Sequence, residues 1–122
     1  MTNKVSKTDR HLRWNWERSP DDSDKVRYHF VVVDNKQRPR RVFSVLEQIQ
    51  SFSSVEPIRQ IEGKVEGSPH RYLFESFDVN VKPAEINLSK IGLPIIQDKE
   101  LYERQDTSGI EKYVAGIYSG SR

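Results

Sequence analysis

The chain has 122 residues, of which 34% are apolar and 31% are charged, so it has room for one core and that core must be thin. No apolar run approaches the roughly 20 residues that a membrane helix needs, and residues 1–9 lack the apolar centre of a signal peptide. The absence of cysteine excludes disulfides, thiolate metal sites and cysteine nucleophiles. These features predict a cytoplasmic protein that has no membrane partner.

The formal net charge of +2 conceals an uneven distribution. Residues 1–41 contain 11 Lys and Arg against 6 Asp and Glu, whereas residues 42–122 contain 9 against 12. A basic half joined to an acidic half indicates contact with a polyanion or head-to-tail association of copies, so the pattern also allows a homo-oligomer. Polarity at the two ends predicts a mobile basic arm over 1–9, a single α+β domain over 10–118 and a mobile tail over 119–122.

Two strands are predicted near the N-terminus. Leu12, Trp14 and Trp16 alternate with polar residues, which is typical of a half-buried strand over 11–18. A stripe of one leucine and two tryptophans on one face favours packing in the core or at an interface, although exposed rings could instead stack on bases. After an acidic turn, the β-branched and aromatic residues 28–33 predict the central strand of a sheet.

One main helix is predicted at about 44–53. Ser44 and Glu47 have the spacing of a capping box, in which each side chain accepts a hydrogen bond from a free amide at the helix start. The apolar residues recur at spacings of three and four, so they form one stripe that should face the sheet; they are Val42, Val45, Leu46, Ile49 and Phe52. A short strand could precede this helix at 40–43.

The remaining pattern predicts a hairpin and then shorter elements. Strands are expected at 58–66 and 70–81, with Glu75 on an apolar face and paired to Arg71 or Arg59. Further elements follow as a short strand at 86–88, a short second helix at 98–104 and a closing strand at 113–118. The fold class predicted is therefore α+β, a largely antiparallel sheet of about five to six strands with one main helix and a short second helix.

Motifs for catalysis are missing from the sequence. The three histidines, His11, His29 and His70, do not have the spacing of a metal site, and the glycines form no phosphate-binding loop. No serine lies in the G-x-S-x-G pattern of an activated nucleophile. The sequence thus predicts a protein that is not an enzyme and uses neither a cofactor nor a metal.

The positive signals concern binding. On the first strand Arg13 directly precedes the pair Trp14 and Trp16, and a predicted turn carries four basic residues, which are Lys36, Arg38, Arg40 and Arg41. Guanidinium groups bind phosphates in a bidentate manner, and flat rings stack on unpaired bases with about 1–3 kcal/mol per base. These five residues are therefore the predicted nucleic-acid-binding residues.

The function predicted is that of a non-enzymatic accessory protein whose basic N-terminal half binds a polyanion, with single-stranded RNA or DNA as the leading candidate. The alternative is a protein–protein adaptor or a structural subunit of a larger assembly, in which the same basic turn contacts an acidic protein partner. The sequence leaves both interpretations open.

Overall fold

A computed structural model describes residues 11–34, 46, 49, 52, 55–64, 71–101 and 106–119. Its strands form one sheet and are, in chain order, β1 (His11–Arg18), β2 (Val26–Asp34), β3 (Arg59–Lys64), β4 (Arg71–Val79) and β5 (Ile95–Gln97). The strand order across the sheet is β3-β4-β2-β1-β5, and only the β1–β5 pair is parallel. One α-helix, α1, spans Thr107–Ser119. The α+β class with a largely antiparallel sheet is confirmed.

Strand β2 lies at the centre of the sheet, as its β-branched and aromatic composition predicts. Phe30 pairs with Trp14 on β1 and with Glu75 on β4. Successive side chains of β2 point to opposite faces, and Phe30, Val31, Val32 and Val33 are all fully buried. A strand that is apolar on both faces must be covered on both, so the sheet has two cores.

The first core lies on the sheet face that carries Phe30, called here the Phe30 face. Leu46, Ile49 and Phe52 are buried against this face. The Phe52 ring meets Phe30 and Phe77 edge-on, with ring centroids 5.3 and 5.0 Å apart. Most of the helix predicted at 44–53 lies outside the described residues, but the expected packing of its apolar residues Leu46, Ile49 and Phe52 on the sheet is confirmed.

The second core lies on the opposite face, called the Val31 face, and α1 covers it with Ile110, Tyr113 and Val114. The closing strand predicted at 113–118 is therefore wrong. These three apolar residues recur at spacings of three and four, so a helix places them on one side and buries them together. The helix begins at a cap, because the Asp106 carboxylate accepts a hydrogen bond of 2.7 Å from the Gly109 amide.

The segment between β4 and α1 also differs from the prediction. The strand expected at 86–88 is absent from this described stretch, which instead forms two short 3-10 turns, Pro83–Glu85 and Ser89–Ile91. Gly92 ends the second turn in the left-handed region, with φ of 76°, which glycine adopts without a steric penalty. The chain then enters β5, whose parallel pairing with β1 could not be predicted from a local pattern.

Several predicted features lie outside the described residues. They are the arm over 1–9, the turn and short strand over 35–43, and the tail beyond Ser119, which is the last residue of α1. The short helix predicted at 98–104 is described only to Leu101, whose amide donates to the Asp98 carbonyl. Within the part of the chain that the structure describes, no helix has the length and apolarity needed to cross a membrane.

Glu75 is buried on the Phe30 face, in agreement with its place in the β4 alternation. The arginine partners expected for it were Arg71 and Arg59. The structure instead gives it an amide partner, because Gln60 on β3 donates a hydrogen bond of 2.6 Å to its carboxylate. A buried carboxylate requires such donors to offset the loss of water.

Candidate nucleic-acid interface

A groove of about 380 Å³ lies at the end of the sheet where β1 turns into β2. Strand β1 supplies Trp16 and Arg18, the turn supplies Lys25, and the residues after β4 supply Lys82. We call this feature the Trp16 groove. Its size is within the range of small-ligand pockets, which begins at roughly 300 Å³.

The aromatic stripe of β1 runs from the core to the surface. Leu12 is fully buried and Trp14 is half-buried against the first core, whereas Trp16 is 40% exposed. Packing against the core is confirmed for Trp14, whereas Trp16 lies outside the core. The physical reason is position along the strand, since Trp16 lies two residues from the end of β1, at the edge of the covered area.

The charges of the Trp16 groove are mainly positive. Arg18, Lys25 and Lys82 face one acidic lining residue, Asp24. The ion pairs recorded among the described residues involve none of these three basic side chains. Three cations beside an exposed indole give the groove both of the contacts that a nucleotide offers, a phosphate to neutralise and a ring face to stack.

One wall of the groove is the turn over 19–25, which is held by a dense set of hydrogen bonds. The buried Ser19 hydroxyl accepts hydrogen bonds of 3.2 Å from the amides of both Asp21 and Asp22. The Ser19 amide donates to the Lys25 carbonyl, and the Lys25 amide donates to the Asp22 carbonyl. These hydrogen bonds order the turn, and its acidic residues Asp21, Asp22 and Asp24 are exposed, as expected of a solvated turn.

The opposite wall follows β4 and is fixed by Tyr28. The Tyr28 hydroxyl donates a hydrogen bond to the carbonyl of Val81, the residue before Lys82. Burial raises the pKa of Tyr28 to about 12, so this hydroxyl stays protonated and remains a donor at neutral pH. Lys82 is thus attached to the central strand through the backbone that precedes it.

Arg13, a predicted binding residue, lies on the Val31 face, which is opposite to Trp16. Its guanidinium contacts the Asp98 carboxylate at 3.3 Å and donates to the His11 ring at 3.2 Å. Tyr113 donates to the same carboxylate. Arg13 is therefore linked to α1 through Asp98, the residue after β5. The other four predicted binding residues, Lys36, Arg38, Arg40 and Arg41, lie outside the described residues.

Sequence reasoning missed Lys25 and Lys82 as partners of Trp16. Continuing the alternation of β1 beyond Trp16 leads to Arg18, so this residue could have been found from the strand pattern. Lys25 follows once Arg18 is paired with Val26 in the β1–β2 hairpin. Lys82 requires the pairing of Val26 with Val79, which joins strands that are distant in sequence.

A second constellation crosses the Val31 face. The His29 ring lies 2.7 Å from the Ser76 hydroxyl through Nδ1 and 2.7 Å from the Glu17 carboxylate through Nε2. Burial lowers the pKa of His29, although the Glu17 hydrogen bond opposes this effect. A serine, a histidine and an acid in contact have the connectivity of a nucleophile, its base and the group that orients the base.

The burial of His29 and Ser76 argues against catalysis. His29 and Ser76 are each 2% exposed, and both side chains lie in the middle of paired strands. A substrate cannot approach a hydroxyl in that position. We interpret the trio as a hydrogen-bonded bridge that joins β1, β2 and β4. Among the described residues, no group of three His, Asp or Glu side chains is arranged to hold a metal ion.

Comparison of the chain with protein family models, with curated proteins and with solved structures gives no match.

Proposed function

We propose that this protein is a non-enzymatic accessory protein that binds single-stranded nucleic acid, and that the Trp16 groove is a contact site. The observation that supports the proposal most directly is the exposed Trp16 ring with Arg18, Lys25 and Lys82 around it. In this arrangement the indole stacks on one unpaired base, while the three cations neutralise the neighbouring phosphates.

The charge pattern sets the expected salt response. Each phosphate contact on a single strand contributes about −0.7 to the slope of log K against log salt concentration, so three contacts give a slope of about −2. Raising the salt concentration fourfold should then weaken binding by on the order of tenfold. Contacts from the predicted cluster Lys36, Arg38, Arg40 and Arg41 would make the slope steeper.

The stacking contribution is tested by replacing Trp16. A labelled oligonucleotide of about twelve nucleotides, within the range of single-strand binding sites, is titrated with the protein at low salt and followed by fluorescence anisotropy. Trp16→Ala should weaken binding by about 5- to 150-fold, the equivalent of one stacked base, and Trp16→Phe should restore much of the loss. Ile58→Ala is the matched control, because Ile58 is an exposed apolar residue that directly precedes β3 and lies outside the groove.

The charge contribution is tested separately. Lys25→Gln and Lys82→Gln should each flatten the salt slope by about 0.7. Lys64→Gln is the matched control, since Lys64 pairs with Arg71 at the far end of β4, away from the groove. Equal slopes in all three variants would remove Lys25 and Lys82 from the interface.

The oligonucleotide form separates this proposal from the adaptor interpretation. Bases in a duplex are already stacked on each other, so Trp16→Ala should weaken binding to a single strand and leave binding to the same sequence as a duplex nearly unchanged. Lack of binding to any oligonucleotide at low salt would contradict the proposal. Binding to polyglutamate that does not depend on Trp16 would then favour an adaptor for an acidic protein.

A further inference from the structure

We propose that Asp78, which does not line the Trp16 groove, is a positioning residue for it. Asp78 holds the turn over 19–25 in the conformation that places Lys25 beside Arg18. This inference rests on the proposed function, because it assigns a role in binding to a residue that makes no contact with the ligand.

The carboxylate of Asp78 connects two elements. The Arg27 guanidinium donates two hydrogen bonds to it, Nε to Oδ1 at 2.8 Å and Nη2 to Oδ2 at 2.9 Å. The Ser19 hydroxyl donates a third, to Oδ2 at 2.9 Å. Arg27 and Asp78 are directly opposite each other on β2 and β4, so the bidentate pair is fixed by the register of the sheet.

The Ser19 hydroxyl connects Asp78 to the backbone of the turn. A hydroxyl has one proton to donate and two lone pairs to accept with. Because the Ser19 proton is donated to Asp78, both lone pairs of the hydroxyl oxygen can accept hydrogen bonds, one from the Asp21 amide and one from the Asp22 amide. Arg27 adds a second link through a hydrogen bond of 2.9 Å from Nη2 to the Asp21 carboxylate. Asp78 thus holds the start of the turn through both Ser19 and Arg27.

The turn carries groove residues at its other end. Its closing hydrogen bonds join the Lys25 carbonyl to the Ser19 amide and the Lys25 amide to the Asp22 carbonyl. Loss of the anchor would free these residues to sample other conformations, and the ligand would have to order them again on binding. An ordered turn therefore gives higher affinity without adding a contact.

The positioning role and a purely electrostatic role of Asp78 predict opposite changes in affinity when the Asp78 charge is removed. A carboxylate close to a polyanion site repels phosphate, so removing its charge should tighten binding if charge is its only effect. Removing a positioning carboxylate should weaken binding. Asp24 gives the comparison, since it lines the groove and the hydrogen bond recorded for it runs from its backbone amide, not from its carboxylate.

The experiment compares the full-length protein with Asp78→Asn, Asp24→Asn and Ser19→Ala, titrated against the same labelled oligonucleotide at a temperature where thermal melts show every variant to be folded. Asp78→Asn and Ser19→Ala should each weaken binding by about 3- to 10-fold, the effect of one or two residues that must be ordered on binding. Asp24→Asn should bind about twofold more tightly. Hydrogen exchange at the amides of Asp21 and Asp22 should accelerate in the two anchor variants.

The possible results separate the two proposals. If the parent binds and Asp78→Asn binds more tightly, as Asp24→Asn does, Asp78 acts only through its charge and the positioning role is overturned. If Asp78→Asn does not fold, Ser19→Ala decides the question, because it keeps every charge and unchanged affinity would overturn the role. If the parent does not bind, the proposed function fails and this inference fails with it.

Discussion

The indole of Trp14 is stacked against the phenol ring of Tyr28, with ring centroids 6.3 Å apart and an angle of 29° between the planes. This contact joins β1 to β2 on the Phe30 face and places Trp14 at the border of the first core. Two residues further along β1, Trp16 lies outside that core and lines the groove. The same residue type therefore has a structural role at one position and is available for binding at the other.

The first prediction contrasts these two tryptophans. Trp14→Ala should lower the free energy of unfolding by about 2–3 kcal/mol, since a half-buried indole is lost from the core. Trp16→Ala should lower it by less than about 1 kcal/mol, because 40% of that side chain is already in water. Urea denaturation measures both values. Equal losses at the two positions would contradict the difference in packing.

The second prediction tests the two cores independently. Leu46→Ala removes a buried side chain from the Phe30 face, and Ile110→Ala removes one from the Val31 face. Each substitution should cost about 2–4 kcal/mol of unfolding free energy through lost burial and a residual cavity. Ile58→Ala is the control and should cost under about 1 kcal/mol, because Ile58 is 50% exposed. A small effect at Ile110 would mean that α1 does not cover the sheet.

The third prediction concerns pH. Burial lowers the pKa of His29 in the folded protein, whereas in the unfolded chain the pKa is near its usual value of 6.5. As the pH falls below about 6.5, the unfolded chain therefore takes up a proton more readily than the folded protein does. The contribution of His29 to the free energy of unfolding is therefore fully present above about pH 6.5 and decreases as the pH falls below that value. Asp78 and Arg27 also face His29, but the Asp78 pKa is lowered by its Arg27 hydrogen bond and the Arg27 pKa is raised by that bond. Both therefore keep their charge over this range.

Replacement of His29 measures its share of this pH dependence. In His29→Gln, the decline in unfolding free energy between about pH 7 and pH 5 should be smaller than in the parent. Chemical denaturation at a series of pH values gives the two slopes. If both proteins lose stability equally over this interval, another group is responsible for the decline.

The fourth prediction concerns the basic cluster. Changing Arg38, Arg40 and Arg41 together to glutamate should abolish binding to single strands. The thermal unfolding midpoint should stay close to that of the parent if these charges lie on the exposed turn that the sequence predicts, because exposed charges contribute little to stability. The substitutions of Trp16, Lys25 and Lys82 should also weaken binding to the same oligonucleotide, but they lie in a different part of the sequence. Unchanged binding in the triple variant would restrict the interface to the Trp16 groove.

The strands were the most predictable part of this fold. In β1 the alternation of Leu12, Trp14 and Trp16 correctly predicts a strand, although burial on that face decreases from Leu12 to Trp16, and in β2 the apolar run predicts a strand covered on both faces. Helix α1 was mistaken for a strand because Tyr113 to Tyr118 is rich in β-formers. The packing of Ile110, Tyr113 and Val114 on the Val31 face outweighs that local preference.

The candidate site was less predictable than the fold. Basic residues near Trp16 could be recognised along β1, but their meeting with Lys82 depends on the pairing of β2 with β4. Arg13 and Arg18 are both basic residues of β1, but alternation along the strand places Arg13 on the other face, where it contacts Asp98. The sheet face on which an arginine lies is decided by whether its position in the strand is odd or even.

The parallel pairing of β5 with β1 has a consequence for synthesis. Arg13 and Asp98, which this pairing brings into contact, are 85 residues apart in sequence. While the chain emerges from a ribosome, β1, β2 and β4 can associate, but one edge of the sheet and the Val31 face stay uncovered until β5 and α1 have been made. Nascent chains that stall before residue 95 should therefore expose a strand edge and apolar surface, and should depend on chaperones more than the finished protein does.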